Sequence, residues 1–214
     1  NPIDTQLQVF NDLIGSAQFT CYGKQHGFNQ INSINDFKKA VPINDYDTLK
    51  PYIERILNGE QNVLWNEPIN WFAKSSGTTS DKSKFIPVSQ QTLSECHFKA
   101  GKDVLALYYQ NFPNSNIANG KCLAIGGSHQ INQLNGDSFY GDLSAVMLQN
   151  MPMIGQVMRA PELQIALMDE WEAKIEAIIE SVFKENITYM AGVPTWCLVL
   201  LKRILEKAGT DNIK

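Results

Sequence analysis

Between Lys121 and Lys207, short strand-forming runs alternate with longer amphipathic ones, and this alternation restricts the fold more than any other feature of the chain. Lys121–Ile125 (KCLAI) and Ile187–Met190 (ITYM) read as buried strands. Between them, after Ala160-Pro161-Glu162, the residues Leu167, Trp171, Ile175, Ile178, Ile179 and Val182 recur at helical spacing, with Glu and Lys on the opposite face. That period predicts one helix, with Pro161 in the first turn that proline favours. A last helix is predicted from about Pro194 to Lys207. Strands and helices in this order imply an α/β fold, layered, with helices packed on a mixed β-sheet.

Upstream the signal is mainly helical. Leu7, Phe10, Leu13 and Ile14 predict one apolar helix face near the start. A second helix is expected from about Asp47 to Asn58, acidic at its start and followed by Gly59, with Pro51 tolerable only near its first turn. Thr92-x-x-Glu95 reads as a capping box opening a third helix, whose buried face would carry Leu93, Ala100, Val104 and Tyr108. Strands are expected at Ile69–Lys74 (INWFAK) and Lys84–Val88 (KFIPV), and a turn-rich loop at Asn111–Gly120. The chain thus divides into a helical lead-in over 1–68, a strand–loop–strand over 69–88 and an α/β layer over 89–214.

Composition excludes several classes. Hydrophobic residues are 43% and charged residues 19% of the 214, as in ordinary globular proteins and unlike disordered chains or disulfide mini-proteins. The net charge of −4 supplies no basic field for nucleic acid, and no polybasic run exists for anionic lipid. The longest apolar run, Trp196–Leu201, is far below the roughly 20 residues that span a bilayer. Cys21, Cys96, Cys122 and Cys197 are widely spaced and expected to be free thiols of a cytoplasmic protein. The chain begins at Asn1 and closes on Gly209-Thr210-Asp211-Asn212, a helix stop and connector, so the natural protein is expected to extend beyond it.

The informative segment for chemistry is Ser75-Ser76-Gly77-Thr78-Thr79-Ser80-Asp81-Lys82-Ser83-Lys84. Small side chains let backbone amides approach phosphate oxygens, hydroxyls add donors, and lysines add charge. No G-x-x-x-x-G-K-[ST] match exists, and a strand follows the loop where a P-loop has a helix, which disfavours a kinase or GTPase. Composition alone favours an exposed loop joining two strands over a phosphate cradle. Elsewhere, His26, His97 and His129 lack partners at metal-ligand spacing, and no G-x-S-x-G elbow occurs. Gly126-Gly127-Ser128-His129 reads as a turn after a strand, and Met147, Met151, Met153 and Met158 as core with the flexibility to fit an apolar ligand. No catalytic residue and no metal ligand are assigned.

The segment S-S-G-T-T-S-D-K-S-K-F-I-P resembles the phosphate-binding motif of the adenylate-forming superfamily. It is most similar to that of the Gretchen-Hagen family of acyl-acid amido synthetases, whose pattern is S-S-G-T-[ST]-x-G-x-x-K-x-x-P. Ser75, Ser76, Gly77, Thr78, Thr79, Lys84 and Pro87 match without a gap; Asp81 stands where the family has Gly. Tyr46–Ile56 (YDTLKPYIERI) resembles a second family stretch, and Ile187–Trp196 (ITYMAGVPTW) a strand and V-P helix start beside the superfamily's acyl pocket.

The resemblance implies the N-terminal part of a large adenylation domain, incomplete without its downstream half and its lid domain. It implies a ligase that uses ATP and Mg²⁺ to adenylate a small carboxylic acid and passes the acyl group to an amino acid amine. The alternatives are a thiol acceptor of the coenzyme A type, or a non-catalytic nucleotide- or acid-binding module. Ser75, Ser76, Gly77, Thr78 and Thr79 are expected to cradle the β- and γ-phosphates, with Lys84 as an added charge. Val193, Pro194 and Trp196 are expected to line the acid pocket, joined by Tyr140 and Leu143. The motifs for adenine, ribose and the Mg²⁺ carboxylate are not found in the 214 residues, so these residues alone are not expected to complete adenylation. No nucleic-acid or membrane partner is expected, and the oligomeric state is left open.

Overall fold

Side-chain caps set the helix starts of the first ninety residues. α1 (Pro2–Ala17) begins behind Asn1, whose side chain accepts the Ile3 amide. Thr20 caps α2 (Cys21–Gln25) and Ser33 caps α3 (Ile34–Ala40) in the same way. Asp45 caps α4 (Tyr46–Leu57) by accepting the amide and hydroxyl of Thr48 at 2.8 and 2.6 Å. β1 (Trp71–Lys74) and β2 (Phe85–Val88) follow, and then a π-helical turn, Thr92–Phe98, runs into α5 (Lys99–Asn111). β3 (Lys121–Ala124) precedes a hairpin of β4 (Asn132–Asn135) and β5 (Ser138–Gly141), turned at Gly136 with φ +44°. α6 (Leu143–Gln149), α7 (Met153–Val157), β6 (Arg159–Ala160) and α8 (Leu163–Ala166) come next. α9 (Trp171–Val182), β7 (Ile187–Ala191) and α10 (Pro194–Ala208) complete the chain order. These elements are those of a computed structural model, which describes residues 1–75, 83–126 and 131–212.

The chain forms two units, and the architecture is mixed α/β as the sequence implies. The first unit takes Asn1–Gln90 and Gln133–Tyr140. Its sheet has the order β2-β1-β5-β4, with β1 and β2 antiparallel and Lys74 opposite Phe85. Ile56 of α4, Val63, Ile69 and Phe72 of β1 form its buried core, and Ile14, Ala17 and Phe28 a second cluster under α1.

The second unit takes Gln91–Asn132 and Gly141–Lys214. Its sheet has the order β6-β3-β7 and is parallel, Leu123 standing between Ala160 and Met190. Leu123 and Ile125 pack on Ile175, Ile178 and Ile179 of α9 and Leu200 of α10. α9 and α10 run side by side in one direction. Trp171 meets Trp196 at their starts, and Arg203 with Glu172 and Lys207 with Glu180 pair further along.

Several expectations need correction. The helix expected after Glu162 is two helices, α8 and α9, because the Glu170 carboxylate caps α9 by accepting the Glu172 and Ala173 amides at 3.1 and 2.6 Å. Pro161 lies before α8, whose N-cap is Glu162, and not in its first turn. Thr92 does not open a helix: the helical run already starts at Gln90. Of the expected face, Leu93 alone is buried; Val104 and Tyr108 are exposed, as is Ala100. On α1 the buried face is Ile14 with Ala17, while Leu7 and Leu13 are exposed. Pro51 sits in the second turn of α4, where its absent N–H leaves the Asp47 carbonyl without a helical donor. Of the methionines expected in the core, Met153 is 84% exposed.

Candidate functional site

The ends of β1 and β2 define the neck of the Ser/Thr/Gly loop. The Ser75 amide donates to the Lys84 carbonyl at 2.9 Å, and the Lys84 amide donates to the Ser75 hydroxyl oxygen at 3.2 Å. Ser75 accepts through its oxygen, so its own hydrogen remains a donor that a phosphate can use. Two ammonium groups lie at this neck. Lys84 Nζ is 5.1 Å from the centre of the Tyr46 ring, and Lys74 Nζ is 5.5 Å from that of Tyr140. Among the described residues neither lysine is ion-paired with a carboxylate; each ammonium lies over an aromatic ring instead. Phe85 packs edge-on against Tyr140, 5.4 Å between centres.

Ser76, Gly77, Thr78 and Thr79, with Asp81 and Lys82, lie outside the described residues, as do Gly127, Ser128 and His129. Of the expected phosphate cradle, Ser75 and Lys84 are therefore the members whose surroundings are known. Sequence reasoning passed over Lys74 and Tyr46. Tyr46 had a signal, since it heads the YDTLKPYIERI stretch; Lys74 had none beyond its place next to Ser75.

In the second unit Val193, Pro194 and Trp196 follow the carboxyl end of β7, and Leu143 opens α6. The chain passes from β3 to β6 on one side and then to β7 on the other, so β3 is the switch point beside which such sheets bind ligands. Ile125, just past β3, donates to the Ala191 carbonyl at 2.8 Å. Gly192 follows β7, and a Cβ there would stand 3.0 Å from Ile125 Cβ and 3.2 Å from Cys197 Sγ. Val193 caps α10 and is exposed, and Pro194 takes the first helical position. Trp196 is half-buried against the core, its ring 5.5 Å from that of Trp171. Leu143 opens α6, and Gly126 lies against α6, where a Cβ would meet Leu148 Cδ1 at 3.1 Å and Ser144 Oγ at 3.4 Å. Tyr140 belongs to the first unit, in the cluster of Phe72 and Phe85.

The starts of α6, α9 and α10 thus lie toward this strand end, and helix starts favour negative charge. Asp142 caps α6, accepting the Ala145 amide at 2.7 Å and the Ser144 hydroxyl at 2.6 Å. Lys174, in the first turn of α9, is fully buried. Burial pushes its ammonium below the ordinary lysine range, and the charges of Asp142 and Asp169 oppose that shift.

Two cavities lie elsewhere. One of about 380 Å³ opens beside Lys121, Gln156, Arg159 and Glu185. There the buried Arg159 donates to the Gln156 side-chain oxygen and the Pro161 carbonyl, and burial lowers its pKa. The other, of about 300 Å³, lies between Pro68, Trp71 and Val88. No expected site residue lines either. Among the described residues no cluster of three His, Cys, Asp or Glu side chains suits a metal ion, and no helix is long and apolar enough to cross a membrane. All four cysteines are free.

The model of the GH3 family N-terminal domain matches residues 1–213. Jasmonoyl–L-amino acid synthetase JAR4 of Nicotiana attenuata is 35% identical over 133 residues, which are 61% of this chain and 22% of that protein. Indole-3-acetic acid-amido synthetase GH3.6 of Arabidopsis thaliana is 32% identical over 94 residues, 44% of this chain and 15% of that one. The solved structure of GH3.15 acyl acid amido synthetase covers 97% of this chain with a TM-score of 0.78 and 20% identity, which shows a shared fold. The chain spans 36% of that structure and 22% and 15% of the length of the two curated relatives.

Proposed function

This chain belongs to the GH3 family, and on that premise we propose that it is the N-terminal portion of the adenylation domain of an ATP-dependent acid–amine ligase. The substrates are a small carboxylic acid, ATP and an amino acid. A carboxylate oxygen attacks the α-phosphorus of ATP; the bond to the β-phosphate oxygen breaks and pyrophosphate leaves. The amino group then attacks the activated carbonyl, AMP departs with the former carboxylate oxygen, and the amine loses a proton. The amide product is favoured over a thioester because the relatives include a jasmonoyl–amino acid synthetase and an indole-3-acetic acid-amido synthetase.

The observation that carries the reading is the loop neck. The Ser75–Lys84 backbone pair closes a hydroxyl-rich loop, and Lys74 and Lys84, neither of them ion-paired among the described residues, bring positive charge to its base. Negative charge grows on the leaving pyrophosphate, and preorganised donors aimed at it lower the barrier. Ser75, Ser76, Gly77, Thr78 and Thr79 supply amides and hydroxyls there, and Lys84 supplies charge. Mg²⁺ would neutralise phosphate charge when bound, and no residue of this chain is assigned to it. The acid is assigned to the strand end flanked by Leu143, Val193, Pro194 and Trp196, with Tyr140 a further candidate. The four free thiols support a cytoplasmic location.

Acid-dependent ATP–pyrophosphate exchange by the full-length protein tests this. Exchange is expected with some member of a panel of carboxylic acids and is expected to be lost in Gly77→Val, whose branched side chain blocks phosphate approach. AMP release driven by amino acids and not by coenzyme A then separates amide from thioester formation. Exchange that is absent, or unaltered by Gly77→Val, overturns the reading.

A further inference from the structure

β2 is the edge strand of its sheet. Ser75 and Lys84 form a hydrogen-bonded pair, so the next pair, Lys74 and Phe85, is a non-bonded one. The amide and carbonyl of Phe85 therefore point outward from the sheet, as do those of Pro87, which has no N–H to leave unsatisfied. One group takes both polar atoms of Phe85. The Tyr46 hydroxyl accepts the Phe85 amide at 3.0 Å and donates to the Phe85 carbonyl at 3.3 Å. The same ring carries the Lys84 ammonium on its face at 5.1 Å. Tyr46 is the first residue of α4, and its position is fixed by the Asp45 cap.

We propose that Tyr46 is a positioning residue for the phosphate loop: it fixes the backbone where the loop rejoins the sheet and holds the Lys84 side chain at the neck. This rests on the reading of the loop as the ATP site. Tyr46 touches no reacting atom; it acts through Phe85 and Lys84. The Tyr46–Phe85 bridge also gives the YDTLKPYIERI stretch a physical link to the loop about thirty residues downstream. A residue with a merely structural role would affect all substrates alike, whereas this one is expected to affect ATP.

The test uses the full-length protein and the variant Tyr46→Phe, which removes the hydroxyl and keeps the ring. In the wild type without nucleotide, the Phe85 amide is expected to be protected from hydrogen exchange despite its outward direction; an unprotected amide overturns the proposal even if the variant fails to fold. In Tyr46→Phe, exchange of residues 83–88 and the KM for ATP are expected to rise about two- to ten-fold, the loss of one or two neutral hydrogen bonds. The kcat and the KM for the acid are expected to stay within about two-fold on the same grounds. Tyr46→Leu, which also removes the ring, is expected to raise the KM for ATP further. Unchanged exchange, or equal changes in the acid and ATP constants, overturns it. Absence of ATP-dependent exchange chemistry in the wild type counts against the ligase reading instead, and hydrogen exchange then decides by itself whether Tyr46 holds the loop.

Discussion

Trp171 and Trp196 meet with 5.5 Å between ring centres and a tilt of 54°, joining the first turns of α9 and α10. Both rings lean on the core of Leu123, Ile175 and Leu200. Trp196 therefore has two separable duties, packing and, by our proposal, contact with the acid. Trp196→Ala is expected to cost about 2–4 kcal/mol of stability, in the range for truncating a large aromatic that is partly buried. Trp196→Phe is expected to keep most of that stability while raising the KM for the acid and leaving that for ATP alone. Equal effects on both constants in Trp196→Phe would assign the residue to packing only.

The hydroxyl of Ser75 accepts the Lys84 amide at 3.2 Å. Ser75→Ala removes that acceptor and the donor we propose for phosphate, but keeps the 2.9 Å bond between the Ser75 amide and the Lys84 carbonyl. ATP affinity is expected to fall about two- to ten-fold with little change in melting temperature. Isothermal titration with ATP and a thermal melt of the same sample check it; a large drop in melting temperature would mean that the pair serves folding first.

Buried Lys174 predicts a pH dependence. Its folded pKa lies below its unfolded value of about 10.4. Below the folded pKa the burial of charge costs stability in full; as pH rises through that value the amine is neutral in the fold and the cost is lifted. Tyr22, Tyr189 and Cys122, raised by burial, act with the opposite sign at alkaline pH. The informative quantity is thus the difference in unfolding free energy between wild type and Lys174→Met. It is expected to shift in favour of the wild type as pH climbs from neutral toward about 10; a flat difference would mean that Lys174 keeps its charge without penalty.

Two glycines predict opposite outcomes. Gly15 lies in α1 with open space around a Cβ, so Gly15→Ala is expected to stabilise by about 0.5–1 kcal/mol. At Gly120 a Cβ would stand 2.3 Å from the Asn186 carbonyl oxygen and 2.6 Å from Thr188 Cγ2. That carbonyl also accepts the Lys121 amide at 2.7 Å. Gly120→Ala is expected to lose about 1–3 kcal/mol or more, because backbone must move. Urea melts of both variants read the two signs.

What the sequence made legible was local. β1, β2, β3 and β7 stand within a residue or two of expectation, as do α4 and α10, since periodicity and capping residues act at short range. The β4–β5 hairpin escaped notice although Asn135-Gly136 is a turn signal: its strands NQLN and SFYG lack the β-branched residues that mark strands. The exposed stripe of Val104, Leu107 and Tyr108 on α5 misled in the other direction, because apolar period reports a face and not what covers it. At the loop neck, Ser75 and Lys84 were named from the motif alone. Tyr46, which meets Lys84, and Tyr140, which meets Lys74, come from segments distant in sequence, and no local pattern encodes those meetings.

The two units are interleaved along the polypeptide. β3 emerges from the ribosome well before its neighbours β6 and β7, and the four-stranded sheet receives its inner strand β5 only after β3 has been made. A nascent chain halted at Gln90 would hold β1 and β2 without β5, and one halted at Asn132 would add β3 without either of its neighbours. Each unit must therefore wait for the other's segments, which favours chaperone capture over stepwise folding and makes any cut between residues 91 and 132 a poor place to divide the protein.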